Sequence, residues 1–230
     1  MKNIEDVCVI IQARLSSERV PRKMIRPFAG TNLTDIAVKK ILRCNSIPKE
    51  NFYLSVYEEE LRNVAKENGV NIFERSEESA LWDGGPDSDL GDMYEWWNKL
   101  DYKYCVLVSA CNPFLTSETI ESFFNRYLKI DSDGLFAVIN KKNYFWNKDF
   151  KFITPWPQGE PCMNTKVVEE TYEAAHCLYA GRMDKIGKGV WMGDFNKPRD
   201  ISLFPISEQE SLDIDYEWQF NYCEAAYNEK

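Results

Sequence analysis

The chain has 230 residues, 44% of them hydrophobic, and carries 37 aspartates and glutamates against 28 lysines and arginines, for a formal charge of −9. That acidic balance excludes a general nucleic-acid or anionic-membrane binder, which needs a broad basic face. No apolar run approaches the ~18 residues of a membrane span, and the length suits one α/β domain over residues 1–230.

Seven cysteines (Cys8, Cys44, Cys105, Cys111, Cys162, Cys177 and Cys223) form no C-x-x-C pair, and several fall inside apolar runs. They read as reduced, buried thiols of a cytoplasmic protein. Lys2, Glu5 and Asp6 precede only a short apolar stretch, without a signal-peptide pattern. A single histidine, His176, among scattered thiols leaves no zinc-ligand set.

Apolar runs alternate with helical patterns through the first two-thirds, which predicts βαβ units and a mostly parallel sheet flanked by helices. Val7 to Ala13 is a fully apolar strand. Thr34-Asp35 caps a helix that buries Ile36, Val38, Ile41 and Leu42. Phe52 to Tyr57 is the next strand, Glu58 to Asn68 a helix stopped by Gly69, and Val70 to Phe73 a further strand. Asp89 to Lys99 reads as one helix whose stripe of Met93, Trp96, Trp97 and Leu100 faces the core. Tyr104 to Ala110 is a buried strand, Thr116 or Ser117 caps a helix carrying Ile120, Phe123, Phe124 and Tyr127, and Leu135 to Ile139 is a strand. From about residue 140 to 175 the pattern changes. Tyr144-Phe145-Trp146 and Phe150-Lys151-Phe152 flank Asn147-Lys148-Asp149, which predicts a hairpin arm whose aromatics serve a dimer. Cys177 to Ala180 and Ile201 to Ile206 are late strands, and Glu217 to Ala226 is a closing helix.

Two constellations carry chemistry. The first strand runs into a loop with Ser16, Ser17, Arg14, Arg19, Arg22 and Lys23, a cationic concentration against the overall balance. Backbone N–H groups and hydroxyls after a strand cradle phosphate oxygens, arginines fork onto them, and lysine adds a point charge. A solvated surface loop would carry the same cations. No glycine lies between Gln12 and Phe28, so the loop is neither a Walker A nor a G-x-G-x-x-G motif. The second constellation is Asp213-Ile214-Asp215. In an extended segment its two carboxylates share one face and serve Mg²⁺, with phosphate and water completing the sphere; alternatively Asp215 caps the helix that follows.

Ile10 to Lys23, with its QAR-x-x-S-x-R-x-P pattern, resembles the opening motif of the CMP-sialic acid synthetase (acylneuraminate cytidylyltransferase) family, near its spore-coat polysaccharide branch. Arg75-Ser76-Glu77-Glu78 followed by Asp83 resembles the segment that approaches the nucleotide base. Val108 to Thr116 is similar to the family's mid-chain segment, and Asp213-Ile214-Asp215 to its C-terminal metal-binding segment. The resemblance implies a nucleotidyltransferase fold related to type-A glycosyltransferases, CTP and Mg²⁺ as cosubstrates, and a homodimer with an exchanged arm. Position by position, it implies catalysis by Arg14 and Lys23, nucleotide binding by Ala13, Arg14, Ser16, Ser17, Arg19, Arg22, Lys23 and Arg75, and metal binding by Asp213 and Asp215. Ser109, Asn112, His176 and Tyr179 would meet the acceptor, a keto-acid sugar by family default or else a phosphorylated or phosphonate small molecule. The chain departs from the pattern at three places. Glu18 stands where relatives place a lysine, with Arg19 next to it, Cys111 replaces an aspartate of some relatives, and Ala175-His176-Cys177-Leu178-Tyr179 replaces a sugar-contacting segment. Two other expectations compete: a type-A glycosyltransferase using the D-x-D, and a nucleotide-binding protein without catalysis.

Overall fold

Strands form where an apolar run can be buried on both faces, and β1 (Val7–Gln12) is the clearest case, with its first five residues fully buried. The computed structural model describes residues 1–82, 84, 89–188, 192–197 and 200–229. After β1 come α1 (Leu33–Leu42), β2 (Phe52–Val56), α2 (Glu59–Asn68), β3 (Asn71–Glu74), α3 (Glu77–Leu81) and α4 (Leu90–Met93). The chain continues through β4 (Tyr104–Val108), α5 (Ser117–Lys129), β5 (Gly134–Lys141), β6 (Thr171–Arg182), α6 (Met183–Ile186), β7 (Ile201–Ile206) and α7 (Glu217–Asn228).

The seven strands form one sheet in the order β3-β2-β1-β4-β6-β5-β7. β3, β2, β1 and β4 are mutually parallel, β6 runs antiparallel between β4 and β5, and β7 is parallel to β5. This is the mostly parallel α/β sheet that the alternating pattern implies. Among the described residues no helix is long and apolar enough to cross a membrane.

The alternation of β1 sorts its side chains between two layers. Val7, Val9 and Ile11 join a large core with Ala37, Val38 and Ile41 of α1 and with Ile120, Phe123 and Phe124 of α5. Cys8 and Ile10 face the other side, against Phe73, Tyr94, Trp96, Met183 and Ile186. A third cluster fastens α7 to the loop after β1: Val20, Phe28, Leu33 and Ile36 pack with Ile214, Phe220 and Cys223. Gly69 ends α2 at φ 66°, the left-handed conformation in which glycine has no Cβ penalty.

Several local expectations are corrected. Asn32, not Thr34 or Asp35, caps α1 through its side chain, and Asp35 supplies the N–H that it accepts. The single helix expected over Asp89 to Lys99 is two short pieces, α4 and a 3₁₀ turn over Glu95–Asn98, with Tyr94 between them outside helical geometry. The Met93 carbonyl is taken by Gln12 and Ser79 side chains, 3.2 Å and 2.9 Å away, instead of by a following helical N–H. The break lets Tyr94 and Trp96 both enter the core, their ring centroids 5.2 Å apart. The arm does turn back as a hairpin, with Trp146 bridged to Phe152 and Asn147 N–H donating to the Lys151 carbonyl.

Trp96 is fully buried, and its indole N–H donates to Gln12 Oε1 at 2.9 Å, so it joins the cluster around Cys8 and Ile10 to the end of β1. Trp96→Ala is expected to lose about 3–5 kcal/mol of stability, read as a lower denaturation midpoint in urea, because it opens a cavity and unpairs the half-buried Gln12 amide oxygen.

Candidate active site

The chain order of the parallel block reverses between β1 and β4, and the loops leaving their carboxyl ends diverge there. In open α/β sheets such a switch point is where ligands bind. Two adjoining cavities occupy it, of about 370 Å³ and 590 Å³, and they share Gln12, Ala13, Arg14 and Cys111. The larger is the mouth formed by the cationic loop, including Ser16, Ser17, Arg19 and Lys23. The smaller lies over the strand ends and is lined by Arg75, Ser79, Trp82, Tyr94, Ser109, His176 and Tyr179 among others.

The loop is held from several sides. Ala13 N–H donates to the Ser55 carbonyl at 3.1 Å and Leu15 N–H to Glu58 Oε1 at 2.7 Å. Arg14 reaches across to the carbonyls of Ala80 and Trp82, at 3.3 Å and 2.6 Å, and Ser16 Oγ approaches the same Ala80 oxygen at 3.4 Å. Arg75 is buried, bonding to the Ser79 hydroxyl and carbonyl and, at 3.4 Å, to the Ala13 carbonyl. Burial, reinforced by neighbouring Arg14, pulls its guanidinium down to about 10, so it stays charged at neutral pH.

The two distant constellations meet. Ile214 is fully buried against the loop's own hydrophobic cluster, which plants the carboxylates on either side of it beside Lys23. Lys23 Nζ donates to the Ile214 carbonyl at 2.5 Å and lies 3.8 Å from Asp215 Oδ1, while Arg19 pairs with that same oxygen at 2.7 Å. Ile214 N–H donates in turn to the Cys111 carbonyl at 3.1 Å, tying the β4 loop to the same point. Asp213 Oδ1 is buried with no hydrogen-bond partner. Burial raises the Asp213 carboxyl, opposed by Lys23 and reinforced by Asp215. Burial likewise pushes the Cys111 thiol up to about 11, with Lys23 opposing, so it is neutral at physiological pH.

Asp215 does not cap α7. Tyr216 holds the N-cap position, the Gln219 side chain accepts from the N–H groups of Asp215 and Tyr216, at 2.7 Å and 2.8 Å, and the Asp215 carboxylate faces the loop cations.

Not every anticipated residue lies at the cleft. Arg22 adopts φ 55° and turns to Glu60 of α2, 2.8 Å away, lining neither cavity. Asn112 is buried, its Nδ2 donating to the Ser211 carbonyl at 2.9 Å, so it braces the segment leading to Asp213. Asp215 is joined to the cleft through Lys23 and Arg19, Asp213 stands two residues before it, and neither is among the lining residues. Asp83 lies outside the described residues. Conversely, Gln12, Ser79, Trp82, Met93 and Tyr94 line the smaller cavity without being among the expected site residues. Only Gln12 carries a sequence signal, as the lone polar side chain ending an apolar strand.

A model of the cytidylyltransferase family matches residues 8–169. The spore coat polysaccharide biosynthesis protein SpsF of Bacillus subtilis (strain 168) is 30% identical over 84 residues, 34% of this chain and 35% of that protein, so the match spans about a third of that curated relative. A structure of CMP:2-keto-3-deoxy-manno-octonic acid synthetase complexed with CTP superposes with a TM-score of 0.68 at 10% identity, over 97% of this chain and 98% of that one. The 4-diphosphocytidyl-2C-methyl-D-erythritol synthase of Anaerococcus prevotii DSM 20548 gives 0.65 at 13% identity, with the same coverages of 97% and 98%. A cytidylyltransferase of Leptospira borgpetersenii serovar Hardjo-bovis (strain JB197) gives 0.62 at 14%, over 98% of this chain and 87% of that one. These structures share the fold.

Proposed function

The chain belongs to the cytidylyltransferase family, and from that premise we propose that it transfers CMP from CTP to a keto-acid sugar of the sialic acid type, releasing pyrophosphate for surface polysaccharide synthesis. The observation that carries this reading is the convergence of Lys23, at the wall of the cationic mouth, on Asp215 and on the Ile214 carbonyl, which joins a cation suited to phosphate to the acidic pair just behind the cleft. The CTP complex of a structural neighbour and the polysaccharide role in SpsF's name support the substrate and the pathway class.

The acceptor oxygen attacks the α-phosphorus in line; the new P–O bond forms as the bond to the β-phosphate bridge breaks, and pyrophosphate leaves with that electron pair. Lys23, Arg14 and Arg19 neutralise the charge that gathers on the phosphates and hold the chain of three in line. Arg75 and Ser79 line the deeper cavity, where the base would sit, and Ser109, His176 and Tyr179 form the acceptor wall.

Asp213 and Asp215 would hold Mg²⁺. The fit rests on Asp213 Oδ1, a buried oxygen with no hydrogen-bond partner, in a carboxyl that the charge of Asp215 reaches. Among the described residues no cluster of three or more metal-binding side chains occurs, so phosphate oxygens and water would fill the remaining positions. When bound, the ion polarises phosphoryl oxygens and screens their charge.

The arm supports a homodimer. Trp146, Phe152 and Trp156 cluster with Tyr144, and Phe150 is 90% exposed beside them, an apolar surface that a second copy would cover. All seven cysteines are free, as suits a reducing cytoplasm.

The test is pyrophosphate release from CTP, UTP, ATP and GTP with Mg²⁺ and a panel of sugar acids and sugar phosphates, with UDP-sugars in a parallel arm. CTP-dependent release with a CMP-linked product by ³¹P NMR is expected. Release of UDP instead would establish a glycosyltransferase, and CTP binding without turnover across the panel a non-catalytic protein.

A further inference from the structure

β6 reaches the cleft through an irregularity. Phe136 of β5 pairs with Tyr179 and Val138 with Ala174, so two steps along β5 correspond to five along β6. The extra residues bulge out at His176, whose φ of 50° lies in the left-handed region that a histidine seldom adopts. Cys177, next in sequence, keeps its carbonyl on the Ser109 N–H at 2.9 Å, which fixes the bulge to the loop carrying Cys111. The conformation turns the imidazole into the smaller cavity, against the edge of Phe136 with ring centroids 6.0 Å apart, and places Nδ1 3.3 Å from the Tyr179 hydroxyl. Backbone strain of this kind costs free energy and persists only where the surroundings over-determine it.

We propose that His176 is the general base of the reaction and that the acceptor's nucleophile is therefore a hydroxyl, not a phosphate. The inference rests on the cytidylyl-transfer reading. An alcohol must shed its proton as it attacks phosphorus, whereas a phosphate or phosphonate oxygen is already ionised and needs no base. With Nδ1–H donated to the Tyr179 oxygen, the lone pair of Nε2 accepts the acceptor's proton. The acceptor oxygen then bonds to the α-phosphorus, and pyrophosphate departs with the electrons of the broken bond. Tyr179 is a positioning residue that holds the ring plane.

The groups facing His176 leave it this task. Tyr179 stands on its own strand, Tyr94 and Cys111 come from the two neighbouring loops, and Arg14 and Arg75 lie across the cavity. No carboxylate is among the described residues that line it. Burial pushes Cys111 up to about 11, Tyr94 up to about 12, and Tyr179 higher still, so these groups keep their protons at neutral pH.

The experiment compares wild type, His176→Asn and Tyr179→Phe, asparagine being at home at positive φ and so preserving the bulge. CTP turnover is followed with 2-keto-3-deoxy-manno-octonic acid and N-acetylneuraminic acid as hydroxyl acceptors, 2C-methyl-D-erythritol 4-phosphate as a phosphate acceptor, and water alone. H176N is expected to lower kcat with a hydroxyl acceptor or water by ~10²-fold or more while the KM for CTP holds. It should also remove the acidic limb of the pH–rate profile, which Y179F only displaces. A wild-type limb that persists in H176N, undiminished kcat in that variant, or wild-type turnover with the phosphate acceptor alone would overturn the inference while leaving CMP transfer intact. Wild type that releases no pyrophosphate with any acceptor or water would overturn the underlying reading, and the inference with it.

Discussion

Replacing Lys23 by alanine is expected to reduce kcat for pyrophosphate release from CTP by ~10²–10³-fold, the loss that follows removal of one preorganised charge from a transition state. Lys23 is buried, with 9% of its surface exposed, yet its ammonium lies at the wall of the cationic mouth. A lysine desolvated to that degree meets developing phosphate charge at full strength, because little water screens it. It also steadies the loop, since its Nζ–H donates to the Ile214 carbonyl and its backbone N–H to the Val20 carbonyl at 3.2 Å. Lys23→Met keeps most of the side-chain volume, so it removes the charge and the Nζ donor without opening a cavity. We expect its urea midpoint to fall less than that of Lys23→Ala while turnover falls as far. Should Lys23→Met turn over CTP at the wild-type rate, the lysine would have no part in catalysis.

The second large effect is expected at the paired acids. Asp213→Asn and Asp215→Asn should each lower kcat by ~10²-fold or more, the equivalent of several kcal/mol of lost charge stabilisation. Both should also abolish the heat of Mg²⁺ binding in calorimetry of the CTP-loaded protein. The two variants differ in their side effects. Asparagine at 213 removes a buried carboxylate whose Oδ1 has no partner, so the nucleotide-free chain should be as stable as wild type or more so. Asparagine at 215 frees Arg19, which pairs with it at 2.7 Å, and CTP affinity without metal should then hold or rise. Undiminished Mg²⁺ binding in both variants would remove the pair from any metal site.

Much of this was legible in the primary structure, for physical reasons specific to each part. The opening strand stood out because burial on both faces demands an unbroken apolar run, and the loop because four cations crowd an acidic chain. The paired aspartates were visible through alternation, which left a helix cap and a metal site both open. Distant residues decided against the cap: Arg19 and Lys23, far back in the sequence, face the Asp215 carboxylate, while Tyr216 holds the N-cap position of α7. The segment around Tyr94 misled because its apolar spacing suits a helix, whereas long-range hydrogen bonds from Gln12 and Ser79 to the Met93 carbonyl break it. Arg22 misled because composition says nothing of direction: its left-handed backbone sends it to Glu60. The bulge at His176 was invisible, since it arises from a mismatch of register between two strands that nothing in either strand alone reveals.

Lys23 and the carbonyl it grips are 191 positions apart in the sequence. Closing so long a loop costs chain entropy, which is offset here as α7 packs Phe220 and Cys223 on Val20 and Phe28. A substitution that loosens α7 from that cluster is therefore expected to part the cationic loop from the paired acids before it disturbs the sheet.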